Sequence, residues 1–357
     1  MNFELSDEQR MLQDTLRRML KENHDNVWSQ LAQQGVFAAL FSERDGGFGG
    51  SGFDLAVVFE EFGRAGTVEP VIESSLVCGG LIAELAFDSQ RALLKRIVAG
   101  DVQLAFAHSE PASRYELNHV ETRVEQHQLN GRKSVVINAD AAEFILVSAR
   151  SAGDVFDTSG IALYLVPANT AGVTMRTYEV TGGGRAADLV LDNVQLSSTE
   201  CLSEDAFDAI ESATASAIVA LCAETLGAME TATSMTCEYL TTRQQFGLPL
   251  ASFQALAHRV SEMLIELEQA RSAVLLAAGH LHSDQHSRDL NISAAKNLLG
   301  RIGKLIAEES IQLHGGIGMT NEYQLGHFAK KIIMADHRYG DVDHHLERFV
   351  ALSRPAI

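Results

Sequence analysis

The hydropathy pattern of this chain changes period twice, and that change most limits what it can fold into. From the N-terminus to about residue 100, apolar residues recur at helical spacing. Met11, Leu12, Leu16, Met19 and Leu20 form one face, behind a Ser6/Gln9 pair that reads as a capping box. The runs "VWSQLAQQGVFAALF", "FDLAVVFEEFGRAG" and "SSLVCGGLIAELA" read as further helices. Near Asp101 the period shortens. "VQLAFAHS", "HVETRVEQHQLNGRKSVVIN", "EFILVSAR", "IALYLVP", "VTMRTYEV" and "ADLVLDNVQL" are short, β-branched or alternating runs separated by turn residues. Asn130-Gly131 reads as a hairpin turn. From about Phe207 the helical period returns, with helices expected near 252–281, 289–313, 322–336 and from Val342. The expected fold class is α+β: a helical domain (1–100), an antiparallel β domain (101–200) built as a sandwich or barrel, and a helical bundle (201–357).

Composition narrows the function classes. The 357 residues are 46% hydrophobic and 21% charged, as in ordinary globular chains, with a formal net charge of −19. Such a field repels nucleic acid and anionic lipid, so neither is an expected partner. The four cysteines show no CxxC spacing, which fits buried thiols and a reducing, cytoplasmic setting. The first twenty residues carry acidic groups and lack the apolar core of a signal peptide. No apolar run suggests the ~18 residues of a membrane span. "SERDGGFGGSG" reads as a glycine-rich turn, since no strand precedes it and no Lys-Ser/Thr follows. His280, His282 and His286 fall in a polar connection without a supporting acid, which favours a solvated loop over a metal site.

Two segments carry chemistry. In "TTRQQFGLPLASFQ", Arg243, Phe246 and Gln254 straddle a helix end and a helix start, with Gly247 as the helix stop and Ser252 as the next N-cap. An arginine pairs a pyrophosphate, a phenyl ring packs on adenine or ribose, and an amide reads a purine edge. In "IQLHGGIGMTNEY", Gln312, Gly315 and Gly316 precede a turn that Thr320 or Asn321 is expected to cap, and glycines there admit close backbone approach.

With "DGGFGGSG", "AFAHSEP", "NGRKSVVIN", "RQQFG…FQ" and "QLHGGIGMTNEY", nearly the whole chain resembles the acyl-CoA dehydrogenase family. "AHSEPASRYEL" and "RYGDVDHHLERF" are similar to the small subunits of pimeloyl-CoA-type, heteromeric members. The resemblance implies FAD, held at subunit interfaces of a homo- or heterotetramer, an acyl-CoA substrate, and an electron-transfer flavoprotein as acceptor. It assigns Arg243, Phe246, Gln254, Gln312, Gly315 and Gly316 to the adenosine side of FAD, and Ser109 to the flavin-ring side.

Members of that family remove a proton from the carbon α to a thioester and pass a hydride from the β carbon to flavin. This needs a carboxylate base, donors for the developing enolate, and a stacked flavin. Here the family's Trp-x-Thr is Val135, Val136 and Ile137, and Ser109 replaces its Thr. An ungapped match puts Tyr339 at the base position, and tyrosine is too weak an acid for that role. A two-residue insertion puts Asp341 there instead. Another branch carries its base on the first bundle helix, where this chain has Ala217, with Glu224 two turns on. The base is therefore Asp341, or absent from this chain, or Glu224.

Overall fold

A computed structural model of the chain describes residues 4–22 and 26–354. The α-helices are α1 (Asp7–Glu22), α2 (Val27–Gln33), α3 (Gly52–Ala65), α4 (Cys78–Leu85), α5 (Asp88–Val98), α6 (Phe207–Thr242), α7 (Gln254–His280), α8 (Gln285–His314), α9 (Leu325–Asp336) and α10 (Val342–Ser353). The strands are β1 (Leu104–Ala107), β2 (Arg123–Glu125), β3 (Gln128–Ile137), β4 (Phe144–Arg150), β5 (Ile161–Pro167), β6 (Val173–Glu179), β7 (Arg185–Gln195), β8 (Cys201–Ser203), and the two-residue β9 (Gln244–Gln245) and β10 (Leu248–Pro249). The expected helix–strand–helix order stands.

One compact unit gathers residues 1–25, 51–67 and 218–357. Both of its early helices begin at capping boxes. Ser6 and Gln9 exchange backbone-to-side-chain bonds of 3.0 and 3.2 Å, and Ser51 does the same with Asp54. Glycines then set how closely α3 packs. A Cβ on Gly63 would overlap the Glu224 carbonyl oxygen, one on Gly227 would overlap that of Glu60, and one on Gly52 would overlap that of Ala278. Thus α3 meets α6 and α7 at backbone contact. That approach buries charge, and the charge is paired: Arg64 meets Glu60, Glu61 and Glu230, Arg271 meets Glu60 and Glu230, and Arg17 reaches Glu61 at 2.8 Å.

The other unit gathers residues 26–50 and 68–217. Its strands form one sheet in the order β6-β7-β3-β2-β4-β5-β8, with β1 beside β4. Pairing is antiparallel except that β1 and β2 run parallel to β4. The alternation read from sequence places Ala105, Ala107, Leu129, Val136, Ile145, Val147, Leu189 and Leu191 in one core. The fully buried Arg150 donates to the carbonyls of Asn118, Val155, Asp157 and Ser159 at 2.8–2.9 Å, fixing the β4–β5 connection. The Gly-rich turn spends its amides internally: Gly47, Phe48, Gly49 and Gly50 donate to Ser42, Ala38, Phe41 and Ala39. No phosphate cradle is left there.

Three local expectations change. The β2–β3 turn is Gln126-His127, both left-handed (φ 50° and 63°), not Asn130-Gly131. Gly131 instead lets β3 approach Thr122, whose side chain an added Cβ would overlap. "VWSQLAQQGVFAALF" breaks after Gln33, because Gly35 turns left-handed (φ 68°) before a tighter turn over Val36–Leu40. The 36-residue α6 is, by length and composition, apolar enough to cross a bilayer, contrary to the sequence expectation. It is a core helix, with 83% of its most apolar window buried inside the protein.

Adjacent glycines on α4 offer a comparison with Gly131. Gly80 faces open space, so Gly80→Ala removes backbone entropy from the unfolded chain and raises stability by roughly 0.5–1 kcal/mol. Gly131→Ala lowers stability by roughly 1–3 kcal/mol through overpacking against Thr122. Urea denaturation of the two variants, read against wild type, checks both signs.

Candidate active site

Helix α6 ends at Thr242, and the amide of Arg243 still donates to the Tyr239 carbonyl at 2.9 Å. The chain then makes a minimal hairpin, with Gln245 opposite Leu248 and Gln244 opposite Pro249. Its two turn residues, Phe246 (φ 55°) and Gly247 (φ 81°), are both left-handed, as a mirror-image type I turn demands. Gly247 is thus a turn residue and not a helix stop. The hairpin holds Phe246 out in solvent, 92% exposed, with its ring centroid 6.3 Å from that of Phe253. Arg243 and Gln254 are also exposed. Helix α7 starts at Gln254 with Phe253 as its N-cap, one residue after the expected Ser252.

At the far end of α8, Gln312, Gly315 and Gly316 are exposed. Gly315 is left-handed (φ 66°), and a Cβ at either glycine would meet nothing within 4 Å, so the space over this backbone is open. A tight turn over Gly315–Met319 follows. Thr320 and Asn321 lie in the connection and do not cap α9, whose N-cap is Gln324. The two motif segments are tied together beneath their exposed ends. Tyr239, one turn before Arg243, stacks on His314, the residue before Gly315, with ring centroids 4.5 Å apart. His314 Nδ1 donates to the Ser310 carbonyl at 2.8 Å and Nε2 accepts from the Tyr323 hydroxyl at 3.2 Å. Burial holds this imidazole below its ordinary pKa, which keeps it neutral.

The base candidates are engaged elsewhere. Glu224 is buried and pairs with Lys331 at 2.8 Å and Arg338 at 3.9 Å, while Lys331 also donates to the Thr67 carbonyl. Asp341 is the N-cap of α10 and accepts from the His344 amide at 2.9 Å. Its loop is fixed from beneath by Lys296, which sequence reading does not single out, and by His345. The buried Lys296 donates to the carbonyls of Ala335, Asp336 and Gly340 at 3.1, 3.0 and 2.7 Å. His345 Nε2 donates to the Tyr339 carbonyl at 2.9 Å, and Tyr339 itself is left-handed (φ 56°).

On the β unit, Ser109 is exposed and its carbonyl accepts from the Ser134 amide at 2.9 Å. Val135 follows in a left-handed bulge of β3 (φ 53°), 55% exposed, its amide donating to Asp188. A β-branched residue rarely adopts that conformation. Ile137 offers no hydroxyl. Behind this surface lies a buried polar cluster of Lys133, Glu110, His108 and Ser148. Burial pushes the Lys133 ammonium down to about 8 against the pull of Glu110, and pushes His108 down to about 3 with help from the Lys133 charge.

Two predictions follow from these pairings. Glu224→Gln leaves Lys331 without its carboxylate and lowers stability by about 3 kcal/mol, as for a broken buried pair, and adding Lys331→Met restores part of the loss in a double-mutant cycle. His108 and His345 are both held near 3, chiefly by burial, whereas in the unfolded chain they protonate near pH ~6.5. Over that window the unfolded chain binds more protons. Stability is therefore full above pH ~6.5 and falls as pH drops toward 3. Denaturation midpoints at stepped pH check this, and His108→Asn should flatten the slope.

The family models for the acyl-CoA dehydrogenase N-terminal, middle and C-terminal domains match residues 6–101, 105–194 and 207–338. A probable acyl-CoA dehydrogenase of Bacillus subtilis, YngJ, is 25% identical over 351 residues, covering 90% of this chain and 92% of its own. The structure of butyryl-CoA dehydrogenase from Megasphaera elsdenii superimposes with a TM-score of 0.90 at 23% identity, covering 99% of this chain and 100% of that one. A chain of the ChsE4–ChsE5 complex from Mycobacterium tuberculosis does so with a TM-score of 0.87 at 22% identity, covering all of both chains. With three successive domain models of one family matched in order, this chain belongs to the acyl-CoA dehydrogenase family of FAD-dependent oxidoreductases.

Proposed function

We propose that this chain is the small subunit of a heteromeric, FAD-dependent acyl-CoA dehydrogenase, which introduces a double bond between the α and β carbons of an acyl-CoA thioester. The observation that carries the reading is an uneven site. The adenosine side is complete and displayed, whereas both carboxylate candidates for the base are committed to other bonds. An exposed Phe246 on a rigid two-residue turn, Arg243 beside it, and open backbone at Gly315 and Gly316 fit an adenosine diphosphate. At the ring end the fit is partial. Ser109 supplies a hydroxyl for the ring edge, but no aromatic covers its face at Val135.

When bound, FAD supplies the hydride acceptor. The chain's own residues do the holding: Arg243 pairs the pyrophosphate, Phe246 packs on the adenosine, and Gln254 and Gln312 offer amides to it. A longer homologous subunit supplies the base and the ring cover. Electrons leave to an electron-transfer flavoprotein, as the family resemblance implies. The ChsE4–ChsE5 relative is a complex of two different chains, which supports this assembly at the level of the fold. A second reading is a self-sufficient homo-oligomer with Asp341 as base. The fixed Ala335–Asp341 loop, with its left-handed Tyr339, favours it, since strained and over-determined backbone gathers at reaction sites.

Substituting Phe246 or Arg243 by Ala separates binding from folding. Each weakens FAD affinity by about tenfold (~1.4 kcal/mol) with no change in melting temperature, because both side chains are exposed. In the assembled enzyme, Asp341→Asn leaves flavin reduction by acyl-CoA within about twofold if the partner supplies the base. A loss of a hundredfold or more would favour the second reading.

A further inference from the structure

We propose that Lys133 is a positioning residue for the flavin-ring edge, acting through Ser109 and the bulge at Val135. The inference rests on the reading that this face of the β unit meets the flavin. The Lys133 side chain is fully buried, and its ammonium uses each of its three donors: the His108 carbonyl at 3.1 Å, Glu110 Oε1 at 2.8 Å and Ser148 Oγ at 3.1 Å. His108 and Glu110 are the two neighbours of Ser109, so one charge inside the sheet pins the chain on both sides of an exposed hydroxyl.

The rest of the cluster completes the grip. Glu110 also accepts from the amides of Glu121 and Thr122 at 2.6 and 3.0 Å, which fixes the other flank of the turn. Ser148 Oγ lies 2.8 Å from His108 Nδ1. On the outer side the Ser109 carbonyl takes the amide of Ser134, the residue between Lys133 and the left-handed Val135. Lys133 therefore holds both halves of the exposed shelf, one through space and one along the chain.

Stability alone does not account for this arrangement. A buried ammonium–carboxylate pair is commonly matched or bettered by apolar side chains of the same volume, and a valine held left-handed adds strain. What the cluster secures is the place of a short surface segment. Its inward side chains, His108, Glu110 and Lys133, are polar and buried, whereas Ser109 and Val135 face out.

The test uses the flavin-loaded enzyme in whichever assembly it forms, with FAD as the probe. FAD affinity and the position of the visible flavin band are compared for wild type, Ser109→Ala, Lys133→Met and the doubly neutral Glu110→Gln/Lys133→Met. Amide exchange over residues 107–113 and 133–136 is followed in the same proteins. The expected result is a band shift in the same direction for Ser109→Ala and Lys133→Met, an FAD affinity about tenfold weaker, and faster exchange confined to those two segments. Should Lys133→Met not fold, the double variant, which strands no buried charge, carries the same expectation. A fall in melting temperature with the band and affinity unchanged would overturn the positioning role. If Ser109→Ala itself leaves the flavin band in place, the ring does not meet this face, and the underlying reading fails with the proposal.

Discussion

The helical unit depends on one close approach. Gly63 on α3 and Gly227 on α6 let the two backbones touch, each glycine lying where the other helix presents a carbonyl. Nothing larger fits at either position. Once α3 is that near α6, the charged residues that flank the contact cannot reach water freely, and they pair with one another: Glu60, Glu61 and Arg64 from α3, Glu230 from α6 and Arg271 from α7, while the exposed Arg17 of α1 reaches in to Glu61. Each buried carboxylate there has at least two cationic partners or donors, the condition under which buried charge is tolerated. The same contact fixes the face of α6 on which Glu224 lies, and from there its carboxylate reaches Lys331.

The motif segments lie at the ends of α6 and α8, and there the side chains are exposed. Tyr239 stacked on His314 joins the end of α6 to the end of α8. Beyond that joint the two motif segments run out into solvent as a two-residue hairpin and a glycine turn. A phenyl ring 92% exposed on a fixed turn has no role in the core of its own chain. Glu224 and Asp341, by contrast, are both tied by their own partners.

Much of this was legible in the sequence, and the exceptions share a cause. Periodicity located the helices and strands, and capping chemistry marked the Ser6/Gln9 cap. Arg243, Phe246, Gln254, Gln312, Gly315 and Gly316, all exposed in the structure, stand out in the sequence because they cluster in two short motifs. The β2–β3 turn was missed because Gln126-His127 lacks the Gly or Asn that marks a hairpin turn, and Asn130-Gly131 nearby gave the stronger local signal. Lys133, Lys296 and Arg150 were missed because a charged residue in a periodic pattern reads as solvent-facing. Their acceptors are main-chain carbonyls and distant carboxylates, which no local pattern announces. For the same reason the pairing of Glu224 with Lys331 is not legible in the sequence.

The most direct test of the central claim is flavin content and its reduction in this chain purified alone, compared with the chain co-expressed with a longer family member. The expected result is little or substoichiometric flavin in the isolated chain, no bleaching by acyl-CoA, and both restored in the two-chain assembly. One FAD per isolated chain, bleached by an acyl-CoA, would contradict it and make this chain a complete dehydrogenase.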